Sequence, residues 1–537
     1  MKGGGSASHE PPKPSFTLFA LAEVRGQIGP CGCTSDPLGD ISRTTKLVDE
    51  ARSKGPVLVV DAGSLLYAKN PVPAHLEAQE ELKANLLASI YQDNLKVAAV
   101  GLGPADLAKG PEGVRFAREA TNVDEPIKVK APEVYTVGTA KVGVFGVIAK
   151  DAIHDLQVRD PVDTGKKAVA DLRAGGAQVV IALVQASSKR DAVGLIRDIG
   201  GIDLSVAGLG AVAPEPDEVS LEPEKIGDGW LVIPGNRGQV LSRVDVTLRS
   251  AGPLVDAIGP GAASAKIKQL EKEQQRLQAD LAKFKQDTSA DPTFVKEKEK
   301  ESERIGAKIK ALVAQPLVMP PKGSYFTLEQ IRINKKLACS VPVRDAIKSY
   351  DLAAGEANVK AAAGKLPVPP AKGKASYVGN EACSDCHQDQ VDYWKTTVHS
   401  HAWKTLVDRG QQFDYECINC HVTGWEQPGG STLSHNENLR DVGCETCHGP
   451  GSIHVAKGGE EKPVALVSKP ADDLCATQCH TKEHSDTFEH TAYLRDILGK
   501  GHGEKARAAL GDGPTGHDLR SAALDKAGRE LGPGCVK

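Results

Sequence analysis

"YECINCHVTGWEQPGGSTLSHNENLRDVGCETCHGPGSIH", residues 415–454, repeats the pattern Cys-x-x-Cys-His at Cys417 to His421 and again at Cys444 to His448. In that pattern two thiols can form thioethers with the vinyl groups of a porphyrin, and the adjacent histidine is thereby held under the iron. A third copy, "CSDCH", stands at residues 383–387, and "CATQCH", residues 475–480, is one residue longer. One copy alone would also suit half of a zinc site; four sites in the last third of the chain favour four c-type haems. The thioether cysteines are then Cys383 and Cys386, Cys417 and Cys420, Cys444 and Cys447, and Cys475 and Cys479. His387, His421, His448 and His480 become the proximal iron ligands. The alternative for the longer fourth site is a free thiol pair beside an ordinary histidine.

The far side of each iron is read from methionine and histidine usage. The chain has 2 methionines, Met1 and Met319, both outside the haem region, so each iron is expected to carry a second histidine or none. Beyond the proximal four, the region holds His399, His401, His435, His454, His484, His490, His502 and His517. The run "QVDYWKTTVHSHAWKTL" reads as a helix in which Val391, Trp394, Val398 and His401 share one face, which favours His401 over His399 as a ligand. His454 follows His448 by too short a span to pass round a porphyrin and return to the same iron, so it is expected to serve a neighbouring haem. Glycines on both sides of His502 allow its backbone to approach a macrocycle closely. His435, His484 and His517 read as solvated or core histidines.

"YVGNEACSDCH", the Trp394 to His401 stretch, "CINCHVTGW", "VGCETCHGPGSIH" and "GKGHG" resemble the tetrahaem cytochrome c family of the ammonia-oxidiser hydroxylamine pathway. The resemblance covers residues from about 376 to 505 and implies closely stacked haems, mostly bis-histidine, often with one iron lacking a distal protein ligand. It makes His387, His421, His448 and His480 proximal and His401, His454 and His502 the foremost distal candidates, with His399 a weaker one. The longer fourth site departs from the family's pattern.

Upstream, "FTLFALA", "PVLVVDAG", "LKVAAVGLG", "KVGVFGVI", "AQVVIALV", "DLSVAGLG" and "WLVIPG" are short apolar runs separated by helical patterns, the layout of an α/β domain. In "IKQLEKEQQRLQADLAKF", Ile267, Leu270, Leu277, Leu281 and Phe284 keep a helical spacing, and "KEKEKESERIGAKIKALV" resumes it after "DTSADPTF". A helical hairpin follows, acting as spacer or dimer contact. The expected organisation is a tether over 1–15, an α/β domain over 16–250, the hairpin over 260–315 and a return segment over 316–352 packing on the α/β domain. An Ala/Gly/Lys/Pro-rich linker over 353–375, a mostly helical, loop-rich multihaem domain over 376–505 and a helical tail over 506–537 complete it.

The order of runs in the α/β part resembles the metallophosphoesterase domain of periplasmic 5'-nucleotidases. That family's metal-binding positions read here Glu23 and Arg25, Gly63 and Ser64, Gly101 to Pro104, Gln185, and Gly208 to Ala211. A two-metal phosphoesterase needs Asp, Asn and His side chains at those strand ends, so its chemistry is not expected here. Just after the first apolar run, "GQIGPCGCTSDPLGDISR" carries Cys31 and Cys33. A nucleotidase-like family with "PCGC" in this loop, some members selenoproteins, is similar. A redox role or an additional metal at Cys31 and Cys33 is one reading; a structural disulfide with Cys339 or Cys535 as mates is the other.

Covalent haem attachment takes place outside the cytoplasm, so a periplasmic or otherwise extracytoplasmic protein is expected, with the signal or lipoprotein segment not present in "MKGGGSASHEPPKPSF". The Gly/Ser-rich opening is compatible with a membrane tether through a removed N-terminal lipid anchor. A formal net charge of -4 with mixed signs gives no reason to expect nucleic acid as a partner. Three functions remain open: electron carriage between redox partner proteins, redox catalysis on a small sulfur or nitrogen substrate at an open haem or the Cys31 and Cys33 loop, and, remotely, nucleotide hydrolysis.

Overall fold

The structure, a computed structural model, describes residues 13–536 apart from 125, 155, 287–290, 316–318 and 461–464, and apart from the side chains of Cys31, 260–262 and 265. The expected tether over 1–15 thus falls almost wholly outside the described residues. The chain divides into two compact units. One comprises Met1–Gln27, Thr44–Pro71 and Ile90–Ile333; the other comprises Ile28–Arg43, Val72–Ser89 and Asn334–Lys537. The loop bearing Cys31 and Cys33, expected in the α/β domain, therefore groups with the haem-motif unit, as does the helix Glu77–Ser89.

The α/β unit contains two sheets of 6 strands each. The first runs in the order Val255–Asp256, Tyr325–Arg332, Val240–Thr247, Phe16–Leu21, Val57–Asp61 and Ala99–Val100. The second runs Glu224–Ile226, Gly229–Val232, Leu204–Gly208, Val179–Gln185, Ala140–Ile148 and Glu133–Val137. Leu18, Val60 and Val244 of the first sheet share one core cluster with Val144, Ile181 and Val206 of the second. Strand Val179–Gln185 explains how a continuous apolar run serves two layers. Its residues Val179, Ile181 and Leu183 join that core, while Val180, Ala182 and Val184 pack in the cluster that holds Leu172 and Ile196 of the helices Pro161–Ala174 and Lys189–Ile199. Asp160 and Ser188 cap these helices by accepting hydrogen bonds from their first-turn N–H groups.

Helices Pro260–Gln286 and Pro292–Ala314 pair as a hairpin, with Phe284 and Phe294 in edge contact at 5.4 Å between ring centroids. Strand Tyr325–Arg332 then pairs antiparallel with Val240–Thr247 along its whole length. Beyond it, residues 334–352 belong to the other unit, and the helix Val341–Ala362 continues through the first half of the expected linker. An Ala-rich sequence has high helix propensity, and the composition that reads as a linker also suits a helix once one face finds cover.

The haem-motif unit is helical and loop-rich. Beyond Glu381–Lys395 many of its helices are short, as in Ala402–Val407, Cys444–His448, Ser452–Ala456, Leu474–Gln478 and His490–Ile497. The reading of residues 390 to 406 as one helix is corrected: helix Glu381–Lys395 ends, a single turn spans Val398–His401, and Ala402–Val407 starts anew. Two consecutive β-branched threonines, Thr396 and Thr397, stand at the break, and Val398 is exposed. Among the described residues the buried apolar side chains here gather chiefly around Trp403, Ile418, Val422 and Leu433. Cys339 and Cys535 form a disulfide with each other, so neither is a mate for Cys31 or Cys33.

Candidate haem centres

Three of the four motif histidines have one ring nitrogen already engaged. His421 Nδ1 lies 2.5 Å from Ala402 O, His448 Nδ1 2.7 Å from Val467 O, and His480 Nδ1 3.1 Å from Ser485 Oγ. With Nδ1 donating to a fixed oxygen, the neutral tautomer leaves Nε2 as a lone-pair donor, which is the way a metal-bound imidazole is oriented. Burial pulls the pKa of His421 down, and burial with the neighbouring His399 pulls His480 down to about 4, so both rings are held neutral.

Three further histidines face these rings across a gap. The centroids of His387 and His454 are 6.5 Å apart, those of His399 and His480 6.3 Å, and those of His448 and His502 6.1 Å. Such distances lie within the range of ordinary ring contacts, as between Trp403 and Phe413 at 6.3 Å, and between two imidazoles they also fit one metal ion. A metal–nitrogen bond of about 2.0 Å plus about 1.2 Å from nitrogen to centroid, taken twice, gives about 6.4 Å. His502 is oriented by Nδ1 against Ile497 O at 2.7 Å, in a turn where Gly501 and Gly503 adopt φ of 83° and 70°. His454 keeps its Nδ1 buried with no hydrogen-bond partner, as His435 does, which leaves that nitrogen available to a metal ion. His401, favoured by the helical reading, is exposed and holds Ser400 Oγ at 2.6 Å; His399 is the ring that faces His480. For His421 the described residues offer no facing ring at this spacing.

The cysteines order the four motifs. The Cys383 and Cys444 side chains lie beside each other, as do those of Cys420 and Cys479. Cys447 and Cys475 stand near enough to interact electrostatically. The motifs therefore adjoin in the order first, third, fourth, second.

Sequence reasoning missed the groups that hold the motifs in place. Glu445, inside "CETCH", is buried and accepts hydrogen bonds from the N–H groups of Val378, Gly379 and Gly451 at 2.7 to 3.1 Å. Asn380 Oδ1 accepts from Cys444 N at 2.9 Å, tying the first motif to the third. Asp414 caps the turn Tyr415–Ile418 that carries Cys417 and accepts from Gln79 Nε2 at 2.9 Å, while Asn358 donates to Gln79 Oε1 at 2.7 Å. Lys83 bridges Glu80 and Glu416 at 2.6 and 3.3 Å. The charged residue inside the third motif was the only local signal; Gln79 and Lys83 are too distant in sequence to associate with it.

In the α/β unit, the positions at the strand ends are occupied by an internally paired network. Glu23 Oε1 accepts from Gln185 Nε2 at 2.8 Å and from Gly210 N at 3.0 Å, and Arg25 Nε lies 3.3 Å from Oε2. Burial raises the pKa of Glu23 and pushes Asp61 up to about 7, where Tyr91 OH donates to it at 2.7 Å. Asp106 accepts from the N–H groups of Ser64, Leu65, Leu66 and Gly103 and from the fully buried Arg118 at 2.9 to 3.1 Å. Among the described residues no group of three or more His, Cys, Asp or Glu is arranged to hold a metal ion.

Haem-attachment motifs, oriented imidazoles and ring pairs at iron-spanning distance define a c-type cytochrome unit joined to an α/β unit. Residues 382–449 match the family described as "Cytochrome c554 and c-prime". The chain is 38% identical to cytochrome c-554 of Nitrosomonas europaea over 93 residues, 14% of this chain and 40% of that protein, so it spans well under half the length of this relative. Among solved structures, a 5'-nucleotidase precursor from Thermus thermophilus matches with a TM-score of 0.42 and 16% identity over 74% of this chain and 68% of that one. The NAD nucleotidase of Haemophilus influenzae matches with a TM-score of 0.37 and 14% identity over 44% and 48%. The calcineurin-like phosphoesterase YfkN of Bacillus subtilis matches with 0.34 and 20% over 44% and 86%.

Proposed function

We propose that this protein is an extracytoplasmic tetrahaem c-type cytochrome that passes electrons between redox partner proteins, joined to a nucleotidase-like unit that has lost its metal ligands. The observation that carries it is the set of three histidine pairs at 6.1 to 6.5 Å, drawn from distant parts of the chain onto three of the four attachment motifs. When bound, each haem supplies a reversible one-electron iron couple, and two imidazoles per iron favour low potentials.

The protein's own part is to hold the ligand rings and keep them neutral. Ala402 O, Val467 O, Ser485 Oγ and Ile497 O set tautomers; Glu445 and Asn380 hold the first and third motifs together. Haems held by these neighbouring cysteines would be close enough to pass electrons from one to the next. On the α/β side, the Arg118 guanidinium and the Gln185 amide hold carboxylates in protein hydrogen bonds, which supports the loss of metal chemistry.

A second reading, redox catalysis on a small sulfur or nitrogen compound at an open iron, is favoured by one observation: His421 lacks a facing ring among the described residues. The test is a haem count by alkaline pyridine spectrum on protein matured in a haem-attaching host, followed by carbon monoxide binding to the reduced form. Four haems with carbon monoxide at one supports the reading; fewer than four, or carbon monoxide at none, defeats the count or the open iron respectively.

A further inference from the structure

The cysteine loop has no part in haem attachment, yet it is built into the haem-motif unit. Pro30–Cys31 pairs antiparallel with Leu38–Gly39, and Cys33 stands exposed in the connection. That connection is fastened along its length. Arg520 donates to Cys33 O at 2.8 Å and Thr34 O at 3.1 Å, and it pairs with Asp486 at 3.0 Å. Asp486 accepts from both N and Oγ of Ser35, and Lys335 donates to Ser35 O at 2.8 Å. Gly32, at φ 77°, lies so close to Glu483 that a β-carbon there would collide with its carbonyl oxygen. Glu483 and Asp486 stand within about six residues after the fourth attachment motif, and Cys33 is within electrostatic range of Cys417 in the second. The second motif ends the series of adjoining motifs and is the one whose histidine has no facing ring among the described residues.

We infer that Cys31 and Cys33 form a two-electron dithiol–disulfide couple that exchanges electrons with the haem series at its second-haem end. The inference rests on the tetrahaem reading. The Cα atoms of residues i and i+2 are at most about 7 Å apart and closer in a bend, while disulfides span about 4.4 to 6.8 Å. The left-handed backbone at Gly32 supplies such a bend, which a residue with a β-carbon could not take against Glu483. On oxidation one S–S bond forms between Cys31 and Cys33, two protons leave to solvent, and two electrons reduce two ferric haem irons to ferrous, one at a time. The exposed Cys33 is the sulfur at which a dithiol reductant restores both thiols by exchange, itself leaving as a disulfide.

The experiment is an anaerobic coulometric titration of air-oxidised holoprotein whose haem content has been counted beforehand. Wild type is expected to take up two electrons more than C33S or C31S at equal haem content: six against four with the Cys339–Cys535 disulfide left oxidised, eight against six where it too is reduced. Mass spectrometry after iodoacetamide should show a carbamidomethyl group on each of Cys31 and Cys33 in the fully reduced wild type and on neither in the oxidised one. Four haems with the same uptake in wild type as in C33S and C31S, or alkylation of both Cys31 and Cys33 in the oxidised protein, overturns the inference while leaving the tetrahaem reading intact. A count below four haems fails that reading instead.

Discussion

Replacing His399 by alanine is expected to open a second iron, whereas replacing His401 is not. The ring of His399 stands 6.3 Å from that of His480, against about 6.4 Å for two imidazoles on one iron, so its removal leaves that iron one ligand short. His401 is exposed, and its ring contact is to Ser400 beside it. The backbone role of residue 399, whose carbonyl accepts from Val442 N at 3.1 Å, survives either change of side chain. With four haems and one already open, carbon monoxide should perturb about one quarter of the ferrous Soret intensity in wild type and H401A, and about one half in H399A. The assay is a carbon monoxide titration of the dithionite-reduced proteins at equal haem content, followed by difference spectra. A doubling in H401A with none in H399A would refute the pairing and restore the helical reading.

Burial, with Asp414 nearby, pushes the Asp351 carboxyl up to about 7. A carboxyl raised in the folded state stabilises it most below the unfolded value near 4, and that contribution is lost as pH rises through about 7, to an extent of at most about 4 kcal/mol. Melting temperature should therefore fall between pH 4 and 8 in wild type and fall less in D351N; parallel curves would remove Asp351 from the account. The Cys339–Cys535 disulfide closes a span of 196 residues, so C535S is expected to lose about 2–5 kcal/mol in denaturant titrations, less if the haem cross-links already confine the unfolded chain. Manganese, zinc or magnesium should leave p-nitrophenyl phosphate hydrolysis at the buffer rate, because Glu23, Asp61 and Asp106 are committed to protein donors. Brisk turnover would show that this sheet has built a metal site of its own.

Local chemistry was legible in the order of residues. A Cys-x-x-Cys-His turn places two thiols and a histidine within one or two turns of backbone, so the motif cysteines and histidines could be picked out as candidates without coordinates. Apolar runs such as "VVIALV" likewise announced strands covered on both faces, because alternate side chains of such a strand meet two different layers. Which ring faces which was settled by the fold. His454 meets His387, His399 meets His480 and His502 meets His448 across long stretches of chain, and a helical period extrapolated over Thr396 and Thr397 pointed to His401 instead. The fold also moved the Cys31 and Cys33 loop out of the unit in which its neighbours in sequence lie. Its position is set by Glu483, Asp486 and Arg520, whose contacts with residues 32–35 are non-local hydrogen bonds and close packing that no window of sequence contains.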